Sequence, residues 1–365
     1  MTRRCIERTR YFAKPGKAAE VLETRREASR VRVEIGLPHG RIVTPGAGTD
    51  AGPDTIADVE WEHSFADRAA READMAARAA SPAFEAVRKR MGTLLDRFER
   101  LVLEVEADPL AVHDLTDWPM APEEVSFDGP RGRLTGFLYL PPGEPPFRCM
   151  VVNHGSTVTP DSTDICKPSV AAALAQWGIA CLFPNRWGYG RSPGKYWREE
   201  VTTEYGTPEY DAQLLARLDA EAGDVVAARA FAASRPEIDS GRIGVMGSSF
   251  GGTVSLLAGA KEPAFACMID FAGAAMNWEK APGLAAHMKA AAANLTQPSF
   301  FIQAANDYSV GPTHDIVAHL ADSELPVWSR IFPGFGLTKD EGHLFERHGT
   351  MIWGPHVRDF LDRYL

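Results

Sequence analysis

The chain has 365 residues, of which 45% are hydrophobic and 24% charged, and its formal net charge at neutral pH is −10. This is ordinary globular composition, which excludes a disordered, collagen-like or low-complexity chain. The charge is uneven: residues 1–110 hold 19 basic and 19 acidic residues and the remainder 20 and 30, so the acidic second part argues against nucleic acid and anionic membrane surfaces as partners.

The length suits one large domain plus a smaller one. Five scattered cysteines (Cys5, Cys149, Cys166, Cys181, Cys267) form no C-x-x-C pair and imply no disulfide framework. The opening Met-Thr-Arg-Arg-Cys-Ile-Glu lacks the apolar core of a signal peptide, and no run is long enough to cross a membrane. The expectation is a cytoplasmic protein.

In chain order, Ile6–Tyr11 reads as a strand, Pro15-Gly16 as a turn, and Lys17–Val31 as a helix with Ala18, Val21, Leu22 and Ala28 on one face. Gly40–Thr44 is a short strand, and the turn-rich Pro45–Pro53 stretch reads as a hairpin connection. Ile56–Glu62 alternates cleanly, with Ala57, Val59 and Trp61 opposite Asp58, Glu60 and Glu62. Helices over 65–79 and 83–95 break at Ser81-Pro82, and Phe98–Glu106 closes the unit as a strand. The order β-α-β-β-α-β is that of a small ferredoxin-like α+β domain, placed at residues 1–107.

Asp108–Pro122 reads as a linker, rich in Pro and Asp. A domain over 123–365 then begins with a hairpin, Glu124–Phe127 and Leu134–Leu140. Strands follow at Cys149–Asn153, Ala180–Phe183, Ile243–Met246, Ala266–Phe271, Ser299–Ala304 and Val327–Phe332, with helices between them and a last helix at His356–Leu365. Regular alternation predicts an α/β domain: a mostly parallel sheet with helices on both faces and a site at the carboxyl ends of the strands.

Within that pattern, Gly247-Ser248-Ser249-Phe250-Gly251 lies between an apolar strand and a helix of small residues. A strand, a G-x-S-x-G and a helix form a nucleophile elbow, whose glycines leave room for a tight turn that lifts the serine hydroxyl off the sheet. A serine needs a base, and the base an acid partner, in the order Ser, acid, His. Asp307, at the end of the Ser299–Ala304 strand, and His343, in a loop before the final helix, fall where the pattern needs them. Asp270, within an apolar run one strand earlier, and His348, between Arg347 and Gly349, are the rivals. Oxyanion donors are expected from the amides of Phe250 and of Ser156 in the loop His154-Gly155-Ser156. Aromatic residues in Tyr196–Leu218, a connection with few periodic apolar positions, and in Asn277–Leu295 would line an apolar acyl or alcohol pocket, or simply pack a helix onto the sheet.

Two resemblances follow from these residues. Asn153-His154-Gly155, the run Asn185-Arg186-Trp187-Gly188-Tyr189-Gly190-Arg191-Ser192, Gly247–Gly252, Asn306-Asp307-Tyr308 and Gly342-His343 resemble the dienelactone-hydrolase-like and prolyl-oligopeptidase-like branch of the α/β-hydrolases. The dienelactone hydrolases proper use a cysteine nucleophile, and this chain has Ser249, so its substrate need not be a dienelactone. The resemblance implies an α/β-hydrolase fold and a serine esterase acting on a small-molecule ester without metal or organic cofactor. Ser249, Asp307 and His343 would be catalytic, and His154, Trp187 and Tyr308 would contact substrate. A prolyl-oligopeptidase-type peptidase without its β-propeller and a non-catalytic binding protein are the alternatives. Residues 5–106, with Arg8-Thr9-Arg10-Tyr11 and Lys14-Pro15-Gly16-Lys17 opening into a helix, look like the NIPSNAP and dimeric α/β-barrel group, which implies a homodimer. Some members of that group bind haem or are monooxygenases, for which His63 and His39 are the candidates here; both also read as ordinary surface histidines.

Overall fold

Burial alternates along the first strand, β1 (Cys5–Ala13): Cys5, Glu7, Thr9 and Tyr11 are buried while Ile6, Arg8 and Arg10 lie half-buried on the other face. The computed structural model describes residues 4–46, 55–105, 112–162 and 167–365. The turn expected at 47–53 and Cys166 lie outside them. The chain divides into two compact units, Met1–Leu110 and Ala111–Leu365.

In the first unit, β1 is followed by a helix (Ala18–Glu34), β2 (Arg41–Val43), β3 (Val59–Phe65), two helices (Arg68–Ala80 and Pro82–Leu94) and β4 (Leu95–Glu104). The sheet order is β2-β3-β1-β4, antiparallel throughout, as a ferredoxin-like sheet requires. β3 begins three residues later than the alternation predicts, yet its face is as read, with Ala57, Val59 and Trp61 buried. Ser81 divides the two helices by accepting the Phe84 N–H at 3.2 Å, with Pro82 at the first helical position. The acidic face of β3 is met from β1: Arg8 pairs with Glu62 at 2.9 Å and Arg10 with Glu60 at 3.0 Å. Beneath the helices, Arg32 grips Asp74 with two hydrogen bonds of 3.1 and 2.5 Å. Arg78 Nε lies 2.7 Å from the same carboxylate, as an ion pair without hydrogen-bond alignment.

The second unit opens with the hairpin β5 (Glu123–Gly129) and β6 (Gly132–Tyr139) and continues through β7 (Phe147–Asn153), β8 (Ile179–Asn185), β9 (Ile238–Ser248), β10 (Met268–Phe271), β11 (Ser299–Ala304) and β12 (Val327–Phe332). Its sheet runs β5-β6-β8-β7-β9-β10-β11-β12, antiparallel at β5–β6 and β6–β8 and parallel elsewhere. β8 is buried at every position, as a strand covered on both faces should be. The helices Pro208–Ser234, Phe250–Lys261 and Pro282–Ala292 pack together, and Pro168–Gln176 packs with Thr350–Tyr364, so the sheet is covered from both sides. This is an α/β-hydrolase sheet.

Two expectations change. The stretch read as a connection over 196–218 becomes helical from Pro208 and continues for 27 residues to Ser234. It escaped notice because its buried positions include Arg217, Glu221 and Asp224 among the leucines and alanines, which breaks the apolar period. The expected linker is also part of the second unit from Val112 onward: the His113 N–H donates to Gln176 O at 2.8 Å, and Trp118 is buried in the core with its indole N–H on Leu140 O.

Removing the carboxylate that Arg32 and Arg78 share leaves the buried Arg32 guanidinium without its ionic partner among the described residues. Asp74→Ala is expected to destabilise the small unit by about 3–5 kcal/mol, read as faster hydrogen exchange across residues 68–94.

Candidate active site

Ser249 follows the last residue of β9 and stands at the N-cap of the helix Phe250–Lys261 with a φ of 60°, a value that non-glycine residues adopt only where the surroundings enforce it. Its N–H donates to Phe271 O at 2.9 Å, tying the turn to β10. Two glycines make the turn possible. A Cβ at Gly247 would stand 2.3 Å from Gly251 O, and one at Gly251 would stand 2.2 Å from Asn153 O. Backbone approaches backbone on both sides, so no rotamer change relieves either clash.

The acid and the histidine come from the next loops. His343 Nδ1 lies 2.8 Å from Asp307 Oδ1. Asp307 also accepts the Tyr308 N–H at 2.6 Å and the Gln303 side-chain amide at 3.0 Å, and Thr313 holds that amide through Gln303 Oε1 at 2.7 Å. The carboxylate is thus fixed on both oxygens. His343 is carried by a short helix, Lys339–His343, and not by a loop; a capping box of Thr338 and Glu341 starts it. Asn306 pins that segment by donating to Phe335 O and Thr338 O, and Gly342 packs where a Cβ would meet Asn306 Oδ1 at 2.5 Å. His343 Nε2 is buried without a hydrogen-bond partner, so Ser249 and His343 share a cleft but are not bonded to one another. Such bonds are commonly long in ligand-free sites. The histidine faces Asp307, while Asp270 bonds elsewhere; His348 lies exposed on the following helical turn.

The loop after β7 reaches over Ser249. A Cβ on Gly155 would touch Ser249 Cβ at 3.4 Å, and the Ser156 carbonyl is held by the Tyr196 hydroxyl at 2.8 Å and the Trp197 indole at 3.0 Å. The loop is anchored from below by a network that the sequence did not single out. Arg186 donates to His154 O at 2.9 Å and to Glu221 at 2.6 Å; Glu221 also takes Arg217 at 2.6 Å and the Tyr189 hydroxyl at 3.1 Å. All four side chains are buried. The Asn185–Ser192 motif carried the signal, because it contains Arg186 and Tyr189, but its buried partner Glu221 lies far along the chain.

Ser249 stands between two depressions. One, of about 120 Å³, is lined by Gly155, His343, Lys167 and Glu346; the other, of about 540 Å³, by Trp197, Val201, Tyr205, Tyr210 and Phe250. Ser156 and Met276 belong to both. His154 lines the smaller one from beneath, 1% exposed; burial and then the Arg186 charge hold its pKa well below the ordinary histidine value. Tyr308 covers His343, ring centroids 5.5 Å apart, with its hydroxyl on Asp340. Trp187 is not at the site. Its ring lies under Arg131, 5.3 Å away, in the space left by Gly132 and Gly194, because the β5–β6 turn needs an apolar floor. Trp278 also turns away, bonded to Asp315.

The dienelactone hydrolase family model matches residues 138–343, more than half of the chain, including Ser249, Asp307 and His343. The chain belongs to the dienelactone hydrolase family. Among curated proteins none matches it. Solved structures share the fold: a puromycin-hydrolyzing peptidase of Mycobacterium tuberculosis (19% identity, TM-score 0.51, 73% of this chain and 43% of that one) and an esterase of Pyrococcus furiosus (16% identity, TM-score 0.51, 70% of this chain and 95% of that one). The chain thus spans less than half of the peptidase's length. It is a hydrolase by family, and no described helix is long and apolar enough to cross a membrane.

One buried group of this family member stands beneath the elbow without an ionic partner. Asp270, 4% exposed, accepts the Gly273 N–H at 2.7 Å, and burial pushes its pKa up to about 7 despite that hydrogen bond. The unfolded carboxyl titrates near its ordinary 3.8. The folded state therefore holds the proton to higher pH, so the stability due to Asp270 is complete below about pH 4 and falls as pH rises to about 7. The melting-temperature difference between Asp270→Asn and wild type should grow in the variant's favour across that window and level off above it, as scanning calorimetry at stepped pH would measure.

Proposed function

We propose that the chain hydrolyses carboxylic esters through an acyl-enzyme on Ser249. The observation that carries this reading is the His343–Asp307 contact of 2.8 Å, with the other imidazole nitrogen buried, unpartnered and in the cleft of Ser249. A proton on Nδ1 bonded to the carboxylate leaves the Nε2 lone pair to take the serine proton. Ser249 Oγ attacks the ester carbonyl carbon as Nε2 takes its proton, and Asp307 stabilises the imidazolium. The tetrahedral oxyanion is held by the N–H groups of Phe250 and Ser156, each donor being worth about 10²-fold or more in rate. The C–O bond to the alcohol breaks as Nε2 returns the proton to the leaving oxygen. Water, deprotonated by the same nitrogen, then attacks the acyl carbon, and Ser249 recovers its proton as the carboxylic acid leaves.

The aromatic depression supports an apolar acyl or alcohol group, and the smaller, Lys167-lined one a compact polar group. Incubation with a fluorophosphonate probe should leave its adduct on Ser249 by mass spectrometry. p-Nitrophenyl esters should be turned over with kcat/KM well above peptide anilides, and Ser249→Ala should lose more than about 10³-fold. Preferential cleavage of the anilides would replace the esterase reading with a peptidase one. An unmodified Ser249 would leave a binding protein.

For the small unit the reading is pairing with a second copy through its charge-patterned sheet face. The alternating Arg8, Arg10, Glu60 and Glu62 on that face are self-complementary under a two-fold axis. Light scattering should return twice the 39.8 kDa chain mass; the chain mass alone would rule pairing out.

A further inference from the structure

The small unit contains a cavity of about 320 Å³ between its sheet and its helices, within the size range of small-molecule sites, about 300–1,000 Å³. Trp61, Phe84, Val87, Met91, Leu95 and Phe98 give it apolar walls. Its charge is one-sided. Arg25, Arg32, Arg78 and Arg100 all line it, and the buried carboxylates nearby are Glu7 and Asp74. Those two are already engaged: Asp74 with Arg32 and Arg78, Glu7 with Arg71 at 2.7 Å and Arg100 at 3.4 Å.

Arg25 is the exception. It is 5% exposed, and among the described residues its hydrogen bonds go to neutral oxygens, the Tyr11 hydroxyl at 3.1 Å and Ser29 Oγ at 3.4 Å. Its guanidinium lies over the Trp61 ring, 5.2 Å from the centroid, and its Nε is buried with no partner. A buried cation without a counter-charge is costly, and a cation on an aromatic floor beside an open cavity is an arrangement for an anion with an apolar body. Burial, with repulsion from Arg32 and Arg78 as lesser causes, lowers its pKa, in keeping with a local excess of positive charge.

We propose that this cavity binds an organic carboxylate, its carboxylate paired with Arg25 and its flat apolar body against Trp61. Its lining comes entirely from the small unit and shares no residue with the Ser249 cleft. His63 and His39, the candidates for haem chemistry, are not among the residues lining it.

Calorimetric titration of the full chain with 2-naphthoate, 2-naphthamide and inorganic phosphate tests this. Naphthoate should bind at least tenfold more tightly than the amide or phosphate, and hydrogen exchange should show protection over residues 18–34 and 82–94. Arg25→Met should lose the naphthoate binding while the ligand-free protein melts no lower than wild type, because no carboxylate loses a partner. Equal binding of acid and amide, phosphate binding as tight as naphthoate, no binding, or protection confined to residues 247–255 would each overturn the proposal. The wild-type comparison of acid with amide decides it even if Arg25→Met fails to fold.

Discussion

Everything at the hydrolase site depends on how closely two backbones can approach. The turn holding Ser249 presses against the end of β7, with Gly251 within van der Waals limits of Asn153 and His154 and Gly155 against the serine itself. One approach sets the height of Ser249 above the sheet, the other sets how near the β7 loop comes to it. The approach at Gly251 is satisfied only by a hydrogen side chain, and the positive φ of Ser249 is the strain that the packing sustains. The parallel sheet matters chiefly as the frame that brings β7, β9 and β11 to end at one rim.

Position alone does not make the rim rigid. Two sets of buried polar groups do that, one on each side of Ser249. On the β7 side, Glu221 gathers Arg186, Arg217 and Tyr189 and through Arg186 holds the His154 carbonyl. On the β11 side, Gln303 and Thr313 hold Asp307, and Asn306 holds the segment that carries His343. Each buried charge is matched by several hydrogen bonds, which offsets desolvation and leaves one favoured arrangement. The loops are therefore held by their supports on both sides of Ser249.

The sequence made the architecture readable because the central strands β7, β8, β10 and β11 are short, largely apolar runs and the helices Pro168–Gln176, Pro282–Ala292 and Gly311–His319 begin at Pro or Gly. Element order, sheet type and the elbow follow from local rules. The acid–histidine contact was approachable because chain order restricts the candidates to a strand end and a late loop. Side-chain direction was not readable. Trp187 sits in a glycine-rich run that resembles a site loop, yet the voids at Gly132 and Gly194 draw its ring elsewhere. The helix beginning at Pro208 was hidden by its buried charges, which have meaning only beside Arg186 and Trp187. Arg25 likewise looks like any helical arginine until the cavity beside it is seen.

The strand order of the small unit leaves β4 at the margin of its sheet, ten residues long, with Phe98, Leu101, Val102 and Leu103 all substantially exposed. A ribbon of that length and greasiness is a template onto which foreign strands could stack during synthesis or heating. Asp96, Arg97, Glu99, Arg100 and Glu104 are threaded through it, so any chain docking in register must desolvate a charge at nearly every second step. Resistance to aggregation in this unit thus resides in a handful of interspersed ionic side chains, not in a covered border.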